Sequence, residues 1–415
     1  MASIARRNLF EDLPRFLIAQ AGITFAVSLI TIQAGILQGF TRSTALIIEQ
    51  SHADLWVASD QMEHLELTEP LPLSTVTQAA NVTGVQRAEA LLMGNGRWYS
   101  GQGSPDTVRI FGFDPQGKLF VPGTLVEGSI EALLAPYTVL VDRSNLRSLR
   151  ITGVGTTARI RSLPVEVVGI TQGTQSIAAS AFVFASLPTA KAYSTAGLTS
   201  QLNCQIRDGD LQCTNVYQQD TAPLTVDPSQ PLPPLSEADP ISYILVQAAP
   251  DQDLASLSQR LEAALPGTRV YTREAMAERT RRYWQDRTGV GFVLGLGAAV
   301  GIIVGTVIVG QILYASVTDH LKEFGTLKAM GASNWTLYRV VLEQAVWMAL
   351  LGYLPGVAIC WGVKTWALAT QGILILMTPG TLVGVLVLTV GMCSCSAFFA
   401  IQKVTRVDPA IVFKA

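Results

Sequence analysis

Charge is scarce in this sequence. Asp, Glu, Lys and Arg make up 14% of its 415 residues, against about 25% in a typical soluble domain. The shortfall excludes a disordered, self-repelling chain and argues against a wholly soluble enzyme of this length. Histidine and cysteine are scarce too, with three and five copies. No spacing among His52, His64, His320 and the cysteines suits a metal, so no metal site is expected. The net charge of −2 supplies no basic surface for nucleic acid, which is excluded as a partner. Catalytic signatures are missing as well. There is no Gly-x-Ser-x-Gly and no His-Glu-x-x-His. Gly362-Val363-Lys364-Thr365 ends like a phosphate-binding loop, but Val357 stands where the loop needs its first glycine. The chain is therefore not expected to bind ATP in that manner or to act as an enzyme.

What is present is apolar: 49% hydrophobic residues and a mean hydropathy of +0.35. Charge is absent for 26 residues between Arg15 and Arg42 and for 31 between Arg287 and Asp319. It is absent for 20 between Glu343 and Lys364 and for 38 between Lys364 and Lys403. A helix crosses the hydrocarbon core with about 20 apolar residues, and Thr378-Pro379-Gly380 marks a turn within the last gap. Four transmembrane helices follow, at residues 16–40, 288–318, 342–364 and 380–402. The first is too long and too poor in a small-residue cleavage site to read as a signal peptide. The fold class is a four-helix membrane protein with a large α+β extracytoplasmic domain inserted between the first and second spans.

That insert, residues 41–287, carries 19 Lys/Arg and 25 Asp/Glu; the remainder carries 10 and 6. By the positive-inside rule, residues 1–15, the loop after the second span and the tail 403–415 are cytoplasmic, and the acidic insert lies outside. Arg279, Arg281, Arg282 and Arg287 run against the rule, although long domains translocate largely regardless of charge. The pattern predicts helical stalks continuing the first span through residues 42–50 and entering the second through 273–287. Between them it predicts strands near 54–58, 107–112, 138–142, 157–160, 165–170, 181–184, 200–204, 243–247 and 268–271. Helices are expected at 188–193 and 251–265, in two subdomains. Glycines at 94–103 read as punctuation, and the Pro-rich stretch 214–240 as a loop insertion. Asp208-Gly209 signals a hairpin with Cys204 and Cys213 at its feet. Both a disulfide and two free thiols fit that arrangement.

Ion-driven carriers use charged or titratable groups inside the membrane. The first, second and fourth spans contain none, and Glu343 and Lys364 sit at the ends of the third. Any transport would borrow its energy from a partner. Gly297, Gly301 and Gly305 recur every four residues on the second span and invite close helix packing, though glycine is common in membrane helices generally. Gly35 and Gly39 repeat the spacing on the first span. Residues 319–333 form a short amphipathic helix between two spans. Leu321, Phe324, Leu327 and Met330 make its apolar stripe. Asp319 is expected to cap its start, Gly331 to follow its end and Ser333 to cap the next helix. A helix lying in the headgroups and a peg for a cytoplasmic partner both fit this pattern.

The segment HLKEFGTLKAMGAS (320–333) resembles the coupling-helix motif of ABC transporter permeases of the MacB/FtsX type, and within these the cyanobacterial DevC-type permeases. The stretches VGIIVGTVIVGQILYASVTDHL (300–321), EQAVWMALLGYLPG (343–356) and MCSCSAFFAIQKVTRVDPAIVF (392–413) are similar to the same subgroup, and GFTRSTALIIEQSHADLWVAS (39–59) less closely. Gly331-Ala332 departs from the Gly-Tyr of many DevC-type sequences. The Pro-rich insertion with Cys204 and Cys213 has no counterpart. The resemblance implies a homodimer in the inner membrane, bound to two copies of a cytoplasmic ABC ATPase subunit that carries the ATP and Mg. It implies contact with that ATPase through Leu321, Lys322, Glu323, Phe324, Gly325, Leu327, Lys328, Met330 and Gly331. It further implies a periplasmic membrane-fusion adaptor, an outer-membrane channel, and export of a lipid, peptide or other amphiphile. Two competing readings are a mechanical regulator of an envelope hydrolase that moves no cargo, and a sensor or receptor. The lack of a sizeable cytoplasmic signalling domain speaks against the last.

Overall fold

A computed structural model describes residues 13–101, 104–175, 180–195, 199–207, 210–218, 232–330, 333–371 and 375–405. They form two compact units, one from residues 40–287 and one from the chain on either side.

The membrane unit holds α1 (Leu13–Ser43). In the outer unit, α2 (Leu46–Gln50) is followed by β1 (Leu55–Ser59), β2 (Leu71–Pro72), α3 (Ser74–Ala80), β3 (Val85–Tyr99), β4 (Asp106–Phe113), β5 (Thr124–Gly128) and β6 (Thr138–Asp142). Then come β7 (Thr157–Ile160), β8 (Leu163–Gln172), β9 (Ala181–Ser186), α4 (Leu187–Thr195), β10 (Thr199–Arg207) and β11 (Asp210–Gln218). The unit ends with β12 (Pro240–Ile241), β13 (Tyr243–Ala248), α5 (Leu254–Ala264), β14 (Thr268–Thr272) and α6 (Arg273–Thr288). The chain returns to the membrane unit as α7 (Val290–Asp319), α8 (Leu321–Ala329), α9 (Asn334–Gln371) and α10 (Pro379–Thr405).

The outer unit is built on one mixed sheet in the order β14-β1-β13-β3-β4-β9-β6-β8-β5. The expected two subdomains are instead two halves of this sheet. They share β3, whose residues 85–91 pair with β13 and 92–98 with β4. Every residue of β1 is buried, which fits a central strand covered on both faces. Trp56 there meets Tyr243 edge-on at 5.5 Å. The glycines read as punctuation belong in part to β3. A Cβ on Gly96 would stand 2.7 Å from Ile160 and 3.0 Å from Ile110, and one on Gly94 would strike Ser194. Bare backbone there lets neighbouring side chains lie against the strand. Residues 214–218 are likewise strand β11 rather than loop.

The stalks are jointed, not continuous. The first span ends at Ser43, and a turn at Thr44 and Ala45 separates it from α2. Between α6 and α7 stands Gly289 at φ +61, a left-handed conformation that costs an L-residue roughly 1–2 kcal/mol and glycine little.

In the membrane unit all four long helices are apolar enough to cross a bilayer. They run beyond the charge-free gaps at most ends. Ile23, Ala26 and Val27 of α1 share a core with Val309 and Leu313 of α7, Ala345, Met348 and Ala349 of α9, and Cys393 and Ala397 of α10. Pro379 opens α10, with Thr378 Oγ1 accepting from Thr381 N at 3.2 Å, as expected of a proline at the first helical position.

Candidate coupling site

The second span ends on Asp319, which forms an ion pair with Arg15 at the start of α1. Asp319 is thus not the cap expected for the next helix. His320 occupies that position, with no capping hydrogen bond from its side chain. Its Nδ1 lies 2.9 Å from Ser316 O, so the ring folds back on the preceding helix. A carboxylate at the last turn of a helix is unfavourable for the dipole, and the Arg15 guanidinium compensates it.

The short helix α8 then presents two different sides. Phe324 is 3% exposed and belongs to the core shared by the long helices. Gly325 is buried beside it, while Glu323 and Thr326 are exposed and Lys328 is half-buried. Met330 is 72% exposed, so it leaves the stripe expected of it and joins the outward side. The helix carrying Leu321, Lys322 and Leu327 is placed, but these side chains, with Gly331, lie outside the described residues. Ser333 accepts from Thr336 N at 3.3 Å and caps α9 as the sequence indicates. Two residues on, Trp335 is 76% exposed. The geometry is a peg: one aromatic anchor in the bundle, and an acid, a thioether and an indole outward. It offers contact surface and no bond-making chemistry.

The glycine series on α7 also has defined neighbours. Gly297 lies against Gln33, and a Cβ on Gly301 would stand 3.3 Å from Leu29. One on Gly305 would stand 2.7 Å from Met392 Sδ and 3.0 Å from Ala26. Sequence reasoning missed a second close contact. Gln20 Nε2, Thr24 Oγ1 and Ser28 Oγ of α1 donate to the carbonyls of Met348, Gly352 and Gly356 of α9, at 3.4, 3.3 and 3.2 Å. The signal was legible: polar residues every four along α1, and Gly352 and Gly356 spaced by four opposite them.

The outer unit provides no rival catalytic site among the described residues. Buried Glu89 accepts from the backbone N–H groups of Lys118 and Leu119 at 2.8 and 3.0 Å. Asp142 accepts from Ser144 N and Thr174 N, both at 2.8 Å. These carboxylates are held by backbone N–H groups of neighbouring loops. His64 is stacked on Tyr283 at 3.9 Å. Burial, with Arg109 adding to it, lowers its pKa from 6.5 to about 4, so it is neutral at ordinary pH and poorly suited to shuttle protons there. No group of three His, Cys, Asp or Glu gathers as a metal site among the described residues. In the β10–β11 hairpin, Cys204 is the register partner of Cys213.

Two family descriptions match the chain: MacB-like periplasmic core domain over residues 16–264, and FtsX-like permease C-terminal over residues 295–409. The chain belongs to the MacB/FtsX type of ABC transporter permease. This permease is 24% identical over 159 residues to the pyoverdine export ATP-binding/permease protein PvdT of Pseudomonas savastanoi, covering 38% of the chain and 24% of that protein. It is 27% identical over 107 residues to the uncharacterized ABC transporter permease YknZ of Bacillus subtilis, covering 23% and 27%. The permease thus spans about a quarter of the length of the curated relatives it matches. Among solved structures, the periplasmic region of MacB from Actinobacillus actinomycetemcomitans aligns at 12% identity and a TM-score of 0.36, covering 56% of the permease and 94% of that chain.

Proposed function

We propose that this permease is the membrane subunit of an ATP-driven export complex and receives its energy through α8. The observation that carries this reading is the division of α8 into a buried anchor, Phe324, and an exposed outward side, Glu323 and Met330. A helix held this way moves with the bundle when a cytoplasmic partner pushes it. The chain lacks a phosphate-binding loop, so ATP and Mg are assigned to a separate ABC ATPase subunit and no cofactor to this chain. The charge-free spans supply no ion relay, which supports a borrowed energy source. The assembly we infer is a homodimer in the inner membrane with both termini cytoplasmic, working with a periplasmic adaptor and an outer-membrane channel. The PvdT relatives, named for pyoverdine export, favour an amphiphilic cargo. Within the family the sequence resembles the DevC-type permeases.

Glu323→Lys and Leu327→Asp are expected to abolish ATPase binding and export while the permease still inserts in the membrane. Normal ATPase binding and export in both variants would refute the assignment of α8. Co-purification separates the alternative: an adaptor and channel accompany an exporter, whereas an envelope hydrolase accompanies a mechanical regulator without cargo.

A further inference from the structure

The sheet face that carries the stalk helices continues beyond them. Leu91 and Met93 of β3 and Phe111 of β4 pack there with Ile47 and Ile48 of α2 and with Met276 and Ala277 of α6. Side chains alternate along a strand, so Asn95, Arg97 and Tyr99 carry that face onward. Register sets Arg159 of β7 opposite Tyr99. Arg161 follows in the β7–β8 turn. Its backbone N–H donates to Arg97 O at 2.9 Å and its guanidinium to Asn95 O at 3.2 Å. Arg150 reaches the same end of β3, its guanidinium 3.5 Å from Ser100 Oγ. Four arginines thus gather at one end of a unit that carries 19 basic and 25 acidic residues.

Arg97, Arg150 and Arg159 are exposed and form no ion pair among the described residues. Arg161 and Tyr99 are half-buried. The carboxylates that register brings near are Asp106, partner of Trp98 and so on the opposite face, and Glu166, partner of Thr157. Arg150 and Arg161 hold φ of +56 and +55, a left-handed conformation that asparagine or glycine adopts more readily. Arginine at both positions is a local disadvantage, which points to a use for the side chains.

The patch lies toward the second span. β1 is antiparallel to β13 and β13 to β3, so β1 and β3 run the same way. α6 runs that way too. Arg273 N donates to Asp54 O ahead of β1, and Arg279 and Tyr283 meet Met62, Glu63 and His64 beyond it. Measured from the cluster they share, Ala277 to Thr288 is about 16 Å of helix, and Met93 to Tyr99 about 20 Å of strand. The patch therefore stands at the same end of the outer unit as the last turn of α6, and α7 begins two residues later.

We propose that this surface docks on the bilayer, its arginines taking the phosphates of anionic phospholipid headgroups on the side where α7 enters. An acidic domain is repelled by an anionic leaflet, and four guanidinium groups at its membrane end reverse that locally. Guanidinium matches phosphate with paired N–H donors, and tyrosine is suited to the interface. The arginines spread over two strands and two turns rather than closing on one point, which suits a surface of headgroups more than a single small anion. The inference does not depend on what the permease moves or on its ATPase.

The full chain, with its native cysteines replaced by Ala, is reconstituted in nanodiscs holding lipid spin-labelled at the headgroup. A fluorophore is attached at Thr157→Cys, an exposed site two residues before Arg159. Quenching is expected to rise with the share of phosphatidylglycerol over phosphatidylcholine. It is expected to fall in about 1 M salt, where the screening length is about 3 Å. A fluorophore at Gln259→Cys, exposed on α5 across the sheet, is expected to be quenched little at any composition. Arg97→Gln is expected to raise the phosphatidylglycerol share needed for half-maximal quenching by about 5-fold, and Arg97→Gln with Arg159→Gln to remove the quenching. Arg150→Asn and Arg161→Asn are expected to weaken it while leaving thermal unfolding unchanged or raised, which a purely structural role for those arginines would not give. Quenching at residue 157 no greater than at residue 259, equal in the two lipids, or undiminished in the double variant would overturn the proposal.

Discussion

Cys204 and Cys213 are register partners in a hairpin whose loop is two residues long. Arg207 and Asp210 flank that loop and so form a hydrogen-bonded pair. Pairs alternate in type along an antiparallel ladder, and three steps on the two cysteines form a non-hydrogen-bonded pair. The Cα atoms of such a pair lie about 4.5 Å apart, within the range a disulfide spans. We propose that they are bonded in the mature protein, the two thiols passing two electrons and two protons to an oxidising dithiol–disulfide enzyme of the envelope. Closing a loop of about ten residues stabilises the hairpin by roughly 2–3 kcal/mol in the loop-entropy account. Non-reducing peptide mapping is expected to recover one peptide pair joined through Cys204 and Cys213. Two thiols open to alkylation without reductant would refute the bond. The sequence could place both cysteines at the feet of a turn. Only the register shows that they stand opposite one another rather than one step apart, which would send them to opposite faces.

At the scale of elements, the seam between α1 and α9 is a close contact that constrains the membrane bundle. Gly356 admits Val27: a Cβ there would lie 2.7 Å from Val27 Cγ1 and 3.2 Å from the Thr24 carbonyl. The second of these neighbours is backbone and cannot swing aside. Gly356→Leu is therefore expected to force α1 and α9 apart and to destabilise the protein by about 1–3 kcal/mol or more. Ser28→Ala removes one interhelical hydrogen bond and is expected to cost only about 0.6 kcal/mol. Thermal unfolding of the full chain in nanodiscs distinguishes them, and equal stability of Gly356→Leu and the native protein would contradict the seam. This contact and the α7 glycines show what a sequence conveys about helices in a membrane. Spacing by four is visible on α1, α7 and α9 alike, but spacing does not say which helix fills a face. The same limit applied in the outer unit. Strands such as β6 and β7 stand out because short β-branched runs end at turns. β3 did not, because Gly94 and Gly96 read locally as breakers while the close approach of Ser194 and Ile160 comes from distant parts of the chain. The peg α8 was visible as a periodic pattern. That Phe324 turns inward and Met330 outward follows from how the long helices meet, which periodicity alone does not encode.

For the whole molecule, the distribution of charge bears on orientation. The insert 41–287 has an excess of six acidic residues and the rest an excess of four basic ones. The cluster Arg279, Arg281, Arg282 and Arg287 opposes the positive-inside rule, and carboxylates offset two of its four members. Arg279 donates to the carbonyls of Glu63 and Met62 at 3.1 and 3.0 Å, and its guanidinium lies over Tyr271. Arg281 pairs with Glu49 and Glu278, and Arg282 with Glu278. Arg287 lies over the Tyr283 ring. Each has its partner inside the outer unit, and a long domain translocates largely regardless of the charge that remains. We therefore place residues 41–287 outside the cytoplasm. Alkaline phosphatase, whose activity needs disulfides formed outside the cytoplasm, can be inserted after Val154. That residue lies in an exposed loop where the Cβ positions of Gly153 and Gly155 meet nothing within 4 Å. The fusion is expected to be active, and a fluorescent protein joined ahead of Met1 is expected to remain bright on the cytoplasmic side. A phosphatase that is made in full but inactive would put the large unit in the cytoplasm. The export reading would then fail, because the large unit would be on the same side as the ATPase.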